Sequence, residues 1–474
     1  MSGPIVRLFG VVVLLFALLV LFTSRWTVFQ AASLNNNPLN VRTLLDELQI
    51  KRGRILADDG KTVLARSVPA PQHTWTRTYP TNQLFSQPVG YSIAAQGRSA
   101  GLEQSRGPEL RGVQTGLSSI FGPLNPRPVG DDVYTTLDPK AQRVAVQGLA
   151  GRTGSVVALD PRTGAVLAMY ANPTFDNNHA AKLRPGESEF NNSTQAAWPP
   201  GSTFKVVTAT AAIDSGKYTP NSTINGKSPL TVSGVPLQND NNQSFGNISL
   251  TEALTFSVNT VFAQVAQNVG RPTMTEYMKR FGFYSKPPLD YPAGQIRASV
   301  PIDFHGRPFP PGSPDEDIGR IGIGQGGLLV TPLQMAMVAA AVANNGTLMK
   351  PHLTDKVVDQ DGRTVKTIDP SVYHQVMKPS TAQALSQMMR RVVEEGTGQP
   401  AQLGGISVAG KTGTASIGAT GSGLTEPWFI GFAPANNPKV AVAVTVARTQ
   451  GGFGATVAAP LAKEVIQTLL AEGK

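Results

Sequence analysis

The sequence predicts an α+β fold: a mostly antiparallel sheet sandwiched by helices, with a smaller N-terminal pedestal domain and one transmembrane helix. Three observations predict this class. Two apolar, hairpin-like segments occupy 155–170, three strand-like runs lie close together in 406–447, and helical segments fill the interval between them. Strands on both sides of a block of helices are typical of an α+β sheet that helices cover on both faces.

Length, charge and composition narrow the function. The chain has 474 residues, which predicts two or three domains, and 41% of them are hydrophobic. Lys and Arg number 41 against 31 Asp and Glu, a net charge of +10. This balance suits nucleic acid, an anionic membrane surface or an acidic polymer. No Lys/Arg run carries interleaved aromatics, so we predict no nucleic-acid partner. Cysteine is absent, which excludes disulfides, thiol catalysis and most structural zinc sites.

An apolar segment near the N-terminus predicts a membrane anchor. Residues 5–23 are almost wholly apolar, which matches the roughly 20 residues that a membrane-spanning helix needs. A cleaved secretory signal is the alternative, but the stretch 29–31, Phe-Gln-Ala, is a poor cleavage site. We therefore predict an uncleaved single-pass anchor in the cell membrane, a short cytoplasmic tail at 1–4, and an extracytoplasmic catalytic domain.

Residues 24–150 predict a non-catalytic pedestal domain, because no nucleophile–base pair stands out among them. The polar stretch 35–38 predicts a linker. Arg52–Ala57 and Lys61–Ala65 are strand-like and are joined by an Asp-Gly turn, a pattern typical of a β-hairpin. Residues 151–474 form the second predicted domain.

The second domain opens with strands and closes with strands and a helix. Each element is inferred from apolar periodicity bounded by Gly, Pro, Asn or Ser. A glycine cluster at 322–327 predicts a tight turn. The predicted strands are Ser155–Leu159, Ala165–Tyr170, Ile406–Ala415, Trp428–Ala433 and Val440–Ala447, and the predicted helices are Phe204–Ile213, one that begins at Ser249 or Thr251 and carries Ser257-Val258-Asn259, Thr331–Asn344, Ser380–Glu395 and Ala458–Leu470.

A serine and a lysine three residues apart form the first candidate for chemistry. The Pro-Pro-Gly stretch 199–201 ends the preceding segment, so Ser202 falls at the start of the next helix. Free backbone N–H groups favour developing negative charge there. Lys205 shares its helix face and lies in apolar surroundings. The pair predicts a nucleophile with an amine base, and an N-cap serine followed by a solvated lysine is the alternative.

Two further motifs suit the same chemistry. Ser257 and Asn259 place a hydroxyl and an amide two residues apart, which means little alone. In Lys411-Thr412-Gly413, alternation along a strand puts the lysine and the glycine on one face. The missing side chain at the glycine would let a ligand backbone approach the strand edge, and the cation and hydroxyls suit a carboxylate-bearing peptide. A plain strand with a solvated lysine is the alternative.

The three motifs, taken in order, resemble those of the penicillin-binding proteins and serine β-lactamases. Further segments resemble class B penicillin-binding proteins, and the compact size is similar to the penicillin-binding protein A group of actinobacteria. With the anchor and the pedestal domain, the resemblance covers nearly the whole chain. One departure is Arg106, where the family pattern has an aromatic. The segments of the wider resemblance are Arg52-Gly53-x-Ile55, Gly101-Leu102-Glu103, Thr163-Gly164-Ala165-Val166-Leu167-Ala168, Gly324-Gln325-Gly326 and Thr331-Pro332.

The resemblance implies a serine D,D-transpeptidase that cross-links peptidoglycan stem peptides and is acylated by penicillin, with a dimerisation-like N-terminal domain. Ser202 would attack the penultimate D-Ala carbonyl, terminal D-Ala would leave, and the amine of a second stem would take the acyl group. The other implied roles are Lys205 as base, Ser257 as proton relay to the leaving amine, Asn259 as holder of the substrate amide, Lys411 and Thr412 as the carboxylate site, Gly413 and Thr414 as further substrate contacts, and the backbone N–H groups of Ser202 and Thr414 as oxyanion hole.

The resemblance also implies partners and leaves alternatives. The partners are stem peptides or their lipid-linked precursor, β-lactam antibiotics, the membrane and a membrane glycosyltransferase of a wall-synthesis complex. We predict no cofactor and no metal, since the five histidines lack metal-ligand spacing. One alternative is a D,D-carboxypeptidase or β-lactamase, which uses water as acceptor. The other is a non-catalytic scaffold, against which the presence of all three motifs argues.

Overall fold

The structure, a computed structural model, describes residues 3–26, 30, 45, 47–113, 129–418 and 422–474. The predicted linker at 35–38 lies outside the described residues. The predicted apolar segment is confirmed as a helix, Gly3–Ser24, of 22 residues with a mean hydropathy of 3.0 and no buried residue. Among the described helices, it is the one long and apolar enough to cross a membrane.

The α-helices in the described residues differ in length, from single turns of 4 residues to the apolar helix of 22 residues. The predicted helices at 331–344, 380–395 and 458–470 are confirmed within two residues at each end. In chain order the α-helices are α1 (Gly3–Ser24), α2 (Ser86–Val89), α3 (Gly101–Ser105), α4 (Gly107–Leu110), α5 (Pro139–Leu149), α6 (Lys205–Asp214), α7 (Leu250–Thr255), α8 (Asn259–Val269), α9 (Arg271–Arg280), α10 (Ile318–Ile321), α11 (Pro332–Ala343), α12 (Pro379–Glu394) and α13 (Ala459–Ala471).

Strands concentrate in two sheets, and the remainder form two-stranded ribbons. The strands are β1 (Ile55–Leu56), β2 (Val63–Ala70), β3 (Thr74–Thr78), β4 (Ser92–Ile93), β5 (Arg98–Ser99), β6 (Asp132–Thr135), β7 (Gly154–Leu159), β8 (Val166–Asn172), β9 (Thr223–Asn225), β10 (Leu230–Val232), β11 (Val235–Leu237), β12 (Asn247–Ser249), β13 (Val300–Pro301), β14 (Leu328–Leu329), β15 (Thr347–Met349), β16 (Thr354–Val358), β17 (Thr364–Thr367), β18 (Val372–Gln375), β19 (Ala409–Ser416), β20 (Leu424–Ala433), β21 (Val440–Val446) and β22 (Thr449–Gln450).

The sheet that carries the Lys-Thr-Gly motif has the order β19-β20-β21-β7-β8, with β22 beside β20. All neighbours along this path are antiparallel, as predicted. Helix α11 packs on one face, and α5 and α13 pack on the other. Residues of β21 are buried at every position, as expected for a strand that helices cover on both faces. The predicted α+β class is confirmed.

The second large sheet has the order β17-β16-β6-β1-β2-β3. Strands β1 and β2 confirm the predicted hairpin, and Asp59 accepts the backbone N–H groups of Lys61 and Thr62 at 2.8 Å in its turn. Strands β16 and β17 come from the second predicted domain, and the sequence did not indicate them. All four residues of β17 are exposed, so the strand shows none of the apolar alternation that would identify it.

Packing crosses the predicted boundary at residue 150 in both directions. Helix α5 precedes that boundary, and Ala141, Ala145 and Leu149 lie in the same apolar cluster as Leu461 of α13. Strands β16 and β17 follow the boundary and extend the N-terminal sheet. The division into 24–150 and 151–474 stays a prediction.

Arg106, the departure from the family pattern, joins the two parts of the chain. Its side chain is nearly buried, and Nη2 lies 2.7 Å from Oδ2 of Asp290. Its Nε donates to the hydroxyl of Thr354 in β16 at 2.9 Å. Asp290 also accepts the backbone N–H of Leu353 at 2.6 Å. An ionic contact therefore links the N-terminal helices to the loop at Asp290.

Candidate active site

The serine of the first motif lies in a 3-10 turn, Gly201–Phe204, which we call the nucleophile turn and which leads directly into α6. The sequence predicted one helix from Phe204 with Ser202 in its first turn. This tighter turn begins at Gly201, which follows the Pro-Pro dipeptide with a left-handed φ of +53° that glycine adopts without steric cost. Three residues complete a 3-10 turn, so Ser202 and Lys205 share a face, as predicted.

Close backbone contacts hold the nucleophile turn. A Cβ on Gly324 would lie 1.9 Å from the carbonyl oxygen of Gly201. The N–H of Gly201 donates to the Gly324 carbonyl at 3.1 Å. A Cβ on Gly413 would lie 2.7 Å from the Pro200 carbonyl oxygen, and one on Gly201 would lie 2.8 Å from that of Thr414. The predicted tight turn at 322–327 is confirmed and lies beside the serine. The nucleophile turn, and not a ligand, fills the space that Gly413 leaves open.

The Ser-x-Asn motif lies between two helices. Ser249 caps α7 with a capping box to Glu252, as the sequence indicated, but α7 ends at Thr255 and α8 begins at Asn259. The prediction that one helix carries the motif is wrong. Ser257 adopts a left-handed φ of +60°, which interrupts the helical path.

The three motifs meet at one cluster of hydrogen bonds. The Lys205 Nζ donates to the Ser257 carbonyl at 2.7 Å and to Asn259 Oδ1 at 2.7 Å, and it lies 3.2 Å from Ser257 Oγ. The Lys411 Nζ approaches the same hydroxyl at 2.9 Å and donates to the Thr412 carbonyl at 3.0 Å. The Ser257 hydroxyl therefore bridges two lysines that are 206 residues apart, since one is at 205 and the other at 411. We call Lys205, Ser257 and Lys411 the lysine–serine cluster.

Burial makes both amines of the cluster weak bases. Lys205 and Lys411 are 0% exposed. Burial, and then the charge of Lys411, lowers the pKa of Lys205 well below its ordinary value. Burial lowers the pKa of Lys411 to about 7, and the carboxylate of Asp240 opposes the shift in both lysines. An amine with a lowered pKa is available as a neutral base near pH 7.

The Ser202 hydroxyl remains available for reaction. Ser202 is half-buried between Gly201 and Thr203, which are buried. The Thr203 hydroxyl donates to the Pro200 carbonyl at 2.8 Å, which stabilises the turn from within. Throughout the described ranges, no hydrogen bond involves the Ser202 hydroxyl. It can therefore turn toward a substrate or toward the lysine–serine cluster.

The hydroxyls of Thr412 and Thr414 lie on the face of β19 opposite to Lys411 and Gly413, as alternation predicts. Thr412 Oγ1 lies 2.6 Å from the hydroxyl of Thr397, and Thr414 Oγ1 accepts the N–H of Gly454 at 3.1 Å. Strand β19 is the edge strand of its sheet. An extended peptide could therefore add at that edge, next to the nucleophile turn.

Sequence reasoning missed the loop that holds the Ser-x-Asn motif. The Asn259 Nδ2 donates to the Gln238 carbonyl at 3.0 Å, and the Thr260 N–H donates to Asn239 Oδ1 at 3.0 Å. The polar, Asn-rich composition of this stretch was visible in the sequence. Its place beside the site was not, because no periodic pattern encodes a contact across about 20 residues of irregular chain.

Ser202 has a hydroxyl that is free among the described residues, and it lies one turn before Lys205, which shares the Ser257 hydroxyl with a second buried lysine. Together with an edge strand that can bind a peptide, this arrangement is typical of serine acyl-transfer enzymes. Residues 154–467 match the penicillin binding protein transpeptidase domain, and residues 52–120 match the penicillin binding protein A dimerisation domain. The peptidoglycan D,D-transpeptidase PbpA of Mycolicibacterium smegmatis is 33% identical to this chain over 100% of both chains.

Solved structures show the same likeness. Penicillin-binding protein A from M. tuberculosis, in a ceftriaxone acyl-enzyme complex, is 30% identical with a TM-score of 0.79, over 90% of this chain and 100% of that one. The D,D-transpeptidase domain of a peptidoglycan glycosyltransferase from Eggerthella lenta is 30% identical with a TM-score of 0.77, over 90% and 99%. The chain belongs to the penicillin-binding protein transpeptidase family, as its motifs predicted.

Proposed function

We propose that this chain is a serine D,D-transpeptidase that cross-links peptidoglycan stem peptides through an acyl-enzyme on Ser202, and that penicillin acylates the same serine. The observation that carries the proposal is the lysine–serine cluster. Two buried amines, 2.9 and 3.2 Å from one hydroxyl and next to an unengaged serine, form a proton relay that a structural role does not require. The relatives named as peptidoglycan D,D-transpeptidases support the substrate class.

In the first half-reaction, neutral Lys205 takes the Ser202 proton as the oxygen attacks the penultimate D-Ala carbonyl. Its lowered pKa keeps a neutral fraction available. The backbone N–H groups of Ser202 and Thr414 donate hydrogen bonds to the carbonyl oxygen. The two residues are close because the backbones of Gly201 and Thr414 are in contact. The proton then passes from Lys205 through the Ser257 hydroxyl to the leaving amine of D-Ala.

Substrate recognition falls to the other motif residues. Cationic Lys411 and the hydroxyl of Thr412 bind the terminal carboxylate at the edge of β19, where the backbone of Gly413 and Thr414 completes the contacts. Asn259, oriented by Lys205 and by the Gln238 carbonyl, holds the substrate amide.

The cellular setting follows from the helix at the N-terminus. Gly3–Ser24 anchors the chain in the cell membrane with a single pass, and the catalytic domain lies outside the cytoplasm, where peptidoglycan is assembled. Stem peptides on a lipid-linked precursor would reach the site there. A membrane glycosyltransferase of the same wall-synthesis complex would supply the glycan strands.

Covalent labelling tests the proposal. The full chain in detergent is incubated with a fluorescent penicillin, and the labelled peptide is mapped. We expect the label on Ser202, no label on Ser202→Ala, and normal labelling of the control Ser215→Ala. Ser215 lies just past the end of α6, the helix that the nucleophile turn leads into. Normal labelling of Ser202→Ala would refute the nucleophile assignment.

The same experiment separates a transpeptidase from a β-lactamase. A β-lactamase needs a base that activates water, and the chain has no Glu from 277 to 315. Glu316, the first one after that interval, is buried and accepts the Tyr284 hydroxyl at 3.2 Å. We therefore expect the penicilloyl group to stay on Ser202 for many minutes. Steady release of penicilloate at rates near the ~10 s⁻¹ typical of enzymes would favour the hydrolase.

A further inference from the structure

Asp240 lies on the loop that holds the Ser-x-Asn motif. The two residues before it make the contacts that fix this loop: the Gln238 carbonyl accepts from Asn259, and Asn239 accepts the Thr260 N–H. Asn239 is buried, and its Nδ2 donates to the carbonyls of Gly226 at 3.2 Å and Gln243 at 3.0 Å. The loop is therefore anchored on the start of α8, and Asp240 follows directly after these contacts, one of which is to the Asn259 side chain that Lys205 also contacts.

The Asp240 side chain is an unused charge at this place. Asp240 is exposed and begins the 3-10 turn Asp240–Asn242. Across the described part of the chain, no side-chain hydrogen bond or ion pair engages its carboxylate. Its charge nevertheless acts on both buried lysines, because it opposes the effect of burial on the pKa of each. The geometry therefore places an exposed carboxylate directly after two residues that contact Asn259 and Thr260, and the Asn259 side chain is also bonded to Lys205.

The second half-reaction creates a need for such a carboxylate. The acceptor of a cross-link is a primary amine, which reaches the enzyme mainly as an ammonium ion near pH 7. The site already holds Lys205 and Lys411, and any positive charge on them repels a second cation. Among the described residues, Asp240 is the acidic group whose charge reaches both lysines.

We propose that Asp240 binds the ammonium group of the acceptor and directs it to the Ser202 ester, so that an amine is preferred over water. This inference rests on the proposed transpeptidase function. It makes Asp240 a specificity residue for the acceptor and leaves the nucleophile and base roles unchanged.

The chemical step balances without any further reactant. The bound ammonium releases one proton to solvent, and its nitrogen attacks the acyl carbon of the Ser202 ester. A C–N bond forms and the C–Oγ bond breaks. The second proton of the nitrogen passes through Lys205 to Ser202 Oγ, which restores the hydroxyl. The products are the amide cross-link, the free enzyme and one released proton.

Partition of the acyl-enzyme tests the proposal. The full chain in detergent is acylated by a thioester of an N-acylated D-alanine, a donor that carries no amine. D-alanine is the amine acceptor, and D-lactate, which has an uncharged hydroxyl in place of the ammonium and the same carboxylate, is the matched acceptor. The ratio of aminolysis to hydrolysis is measured by product analysis as the acceptor concentration is varied.

For Asp240→Asn we expect the aminolysis ratio with D-alanine to fall about threefold to fivefold, the upper part of the range for loss of one exposed charge contact. Transfer to D-lactate should change less than twofold, and Asp240→Glu should recover most of the aminolysis. Asp369→Asn, which removes an exposed carboxylate far along the chain, should behave as wild type.

Three results would overturn the proposal. An unchanged aminolysis ratio in Asp240→Asn would exclude ammonium binding. An equal loss with D-alanine and D-lactate would make Asp240 a positioning residue of the loop. An unchanged ratio, together with slower acylation of Asp240→Asn by a second donor, the same thioester with its D-alanine amine left free, would place the ammonium on the donor instead. Failure of wild-type Ser202 to take up penicillin would refute the proposed function itself, and that result is separate from these three.

Discussion

At the scale of single residues, the site depends on amines that are taken out of water. Among the described residues, neither Lys205 nor Lys411 has a carboxylate in contact, and Ser257 joins them through one hydroxyl. Burial is therefore the main cause of the lowered pKa of both amines. The left-handed Ser257 makes this arrangement possible, because it turns both its carbonyl and its hydroxyl toward Lys205.

The pH dependence of acylation should show the titration of Lys411. Its pKa of about 7 lies below the ordinary 10.5, so Lys411 is cationic below about pH 7 and neutral above it. We expect the second-order rate constant for acylation by a carboxylate-bearing penicillin to fall above that pH. Lys411→Arg keeps its charge over the whole range, so its slower reaction should lack the alkaline decline. The same decline in both proteins would contradict the assignment.

Glu426 should make stability depend on pH. It is 1% exposed and faces Ala415 across the sheet, and its Oε2 has no hydrogen-bond partner in the described residues. Burial raises its pKa from 4.5 to about 7. Between these values the unfolded chain loses the proton and the folded protein keeps it. The free energy of unfolding should therefore fall as pH rises from 4.5 to 7, by about 3 kcal/mol.

Urea unfolding of the full chain in detergent, at pH values across this window, measures the effect. The informative quantity is the difference between wild type and Glu426→Gln, since other groups titrate in both. We expect Glu426→Gln to lose this part of the pH dependence, whereas Glu464→Gln, at an exposed position of α13, should keep it. A constant difference between wild type and Glu426→Gln at all pH values would show that the carboxyl is ionised when folded.

At the scale of elements, the nucleophile turn depends on backbone contacts between three segments. Gly201, Gly324 and Gly413 lie where a side chain would collide with a neighbouring backbone. The glycine cluster, the nucleophile turn and β19 therefore position Ser202 together. The 3-10 turn and the edge strand are each ordinary alone, and the close approach between them creates the site.

Gly324→Ala should reduce acylation strongly. The new Cβ would lie 1.9 Å from the Gly201 carbonyl oxygen, and Gly324 has a φ of +78°. Gly186 has a φ of +86° with nothing within 4 Å, so Gly186→Ala is a matched control for backbone strain alone. We expect Gly186→Ala to cost about 1–2 kcal/mol in free energy of unfolding and to acylate normally. Equal penicillin labelling rates of the two variants would show that the contact does not position Ser202.

At the scale of the whole molecule, the two parts of the chain are connected by one shared sheet and by several ion pairs, of which the pair between Arg106 and Asp290 is nearly buried. Strands β16 and β17 belong by sequence to the catalytic part and by pairing to the N-terminal sheet. Arg106 adds a nearly buried link to Asp290 and Thr354. The N-terminal part is therefore integrated with the catalytic part.

Arg106→Ala should destabilise the whole protein. It leaves Asp290 partly buried without its cation, which costs about 3 kcal/mol for a buried pair. Arg162→Ala removes an exposed arginine that pairs with Asp160, and should cost less than about 1 kcal/mol. Urea unfolding of both variants measures the contrast. Similar small losses would show that Arg106 and Asp290 do not hold the two parts together.

Local sequence patterns predicted the elements that depend on neighbouring residues. The almost wholly apolar run at 5–23 determines a membrane-length helix whatever the rest of the chain does. The Asp-Gly turn determines the β1–β2 hairpin, and the three-residue spacing places Ser202 and Lys205 on one face. The order of the three motifs was enough to indicate the family.

Tertiary structure alone decided how these pieces meet. Lys411 reaches Ser257 across 154 residues, polar β17 pairs at a sheet edge, and the loop that carries Asp240 bonds to Asn259 next to Lys205. A sequence pattern records which face of an element is apolar, and it does not record which distant element that face will meet. The burial that lowers the pKa of Lys205 and raises that of Glu426 is a property of the packed molecule, because it is the surrounding chain that removes the water.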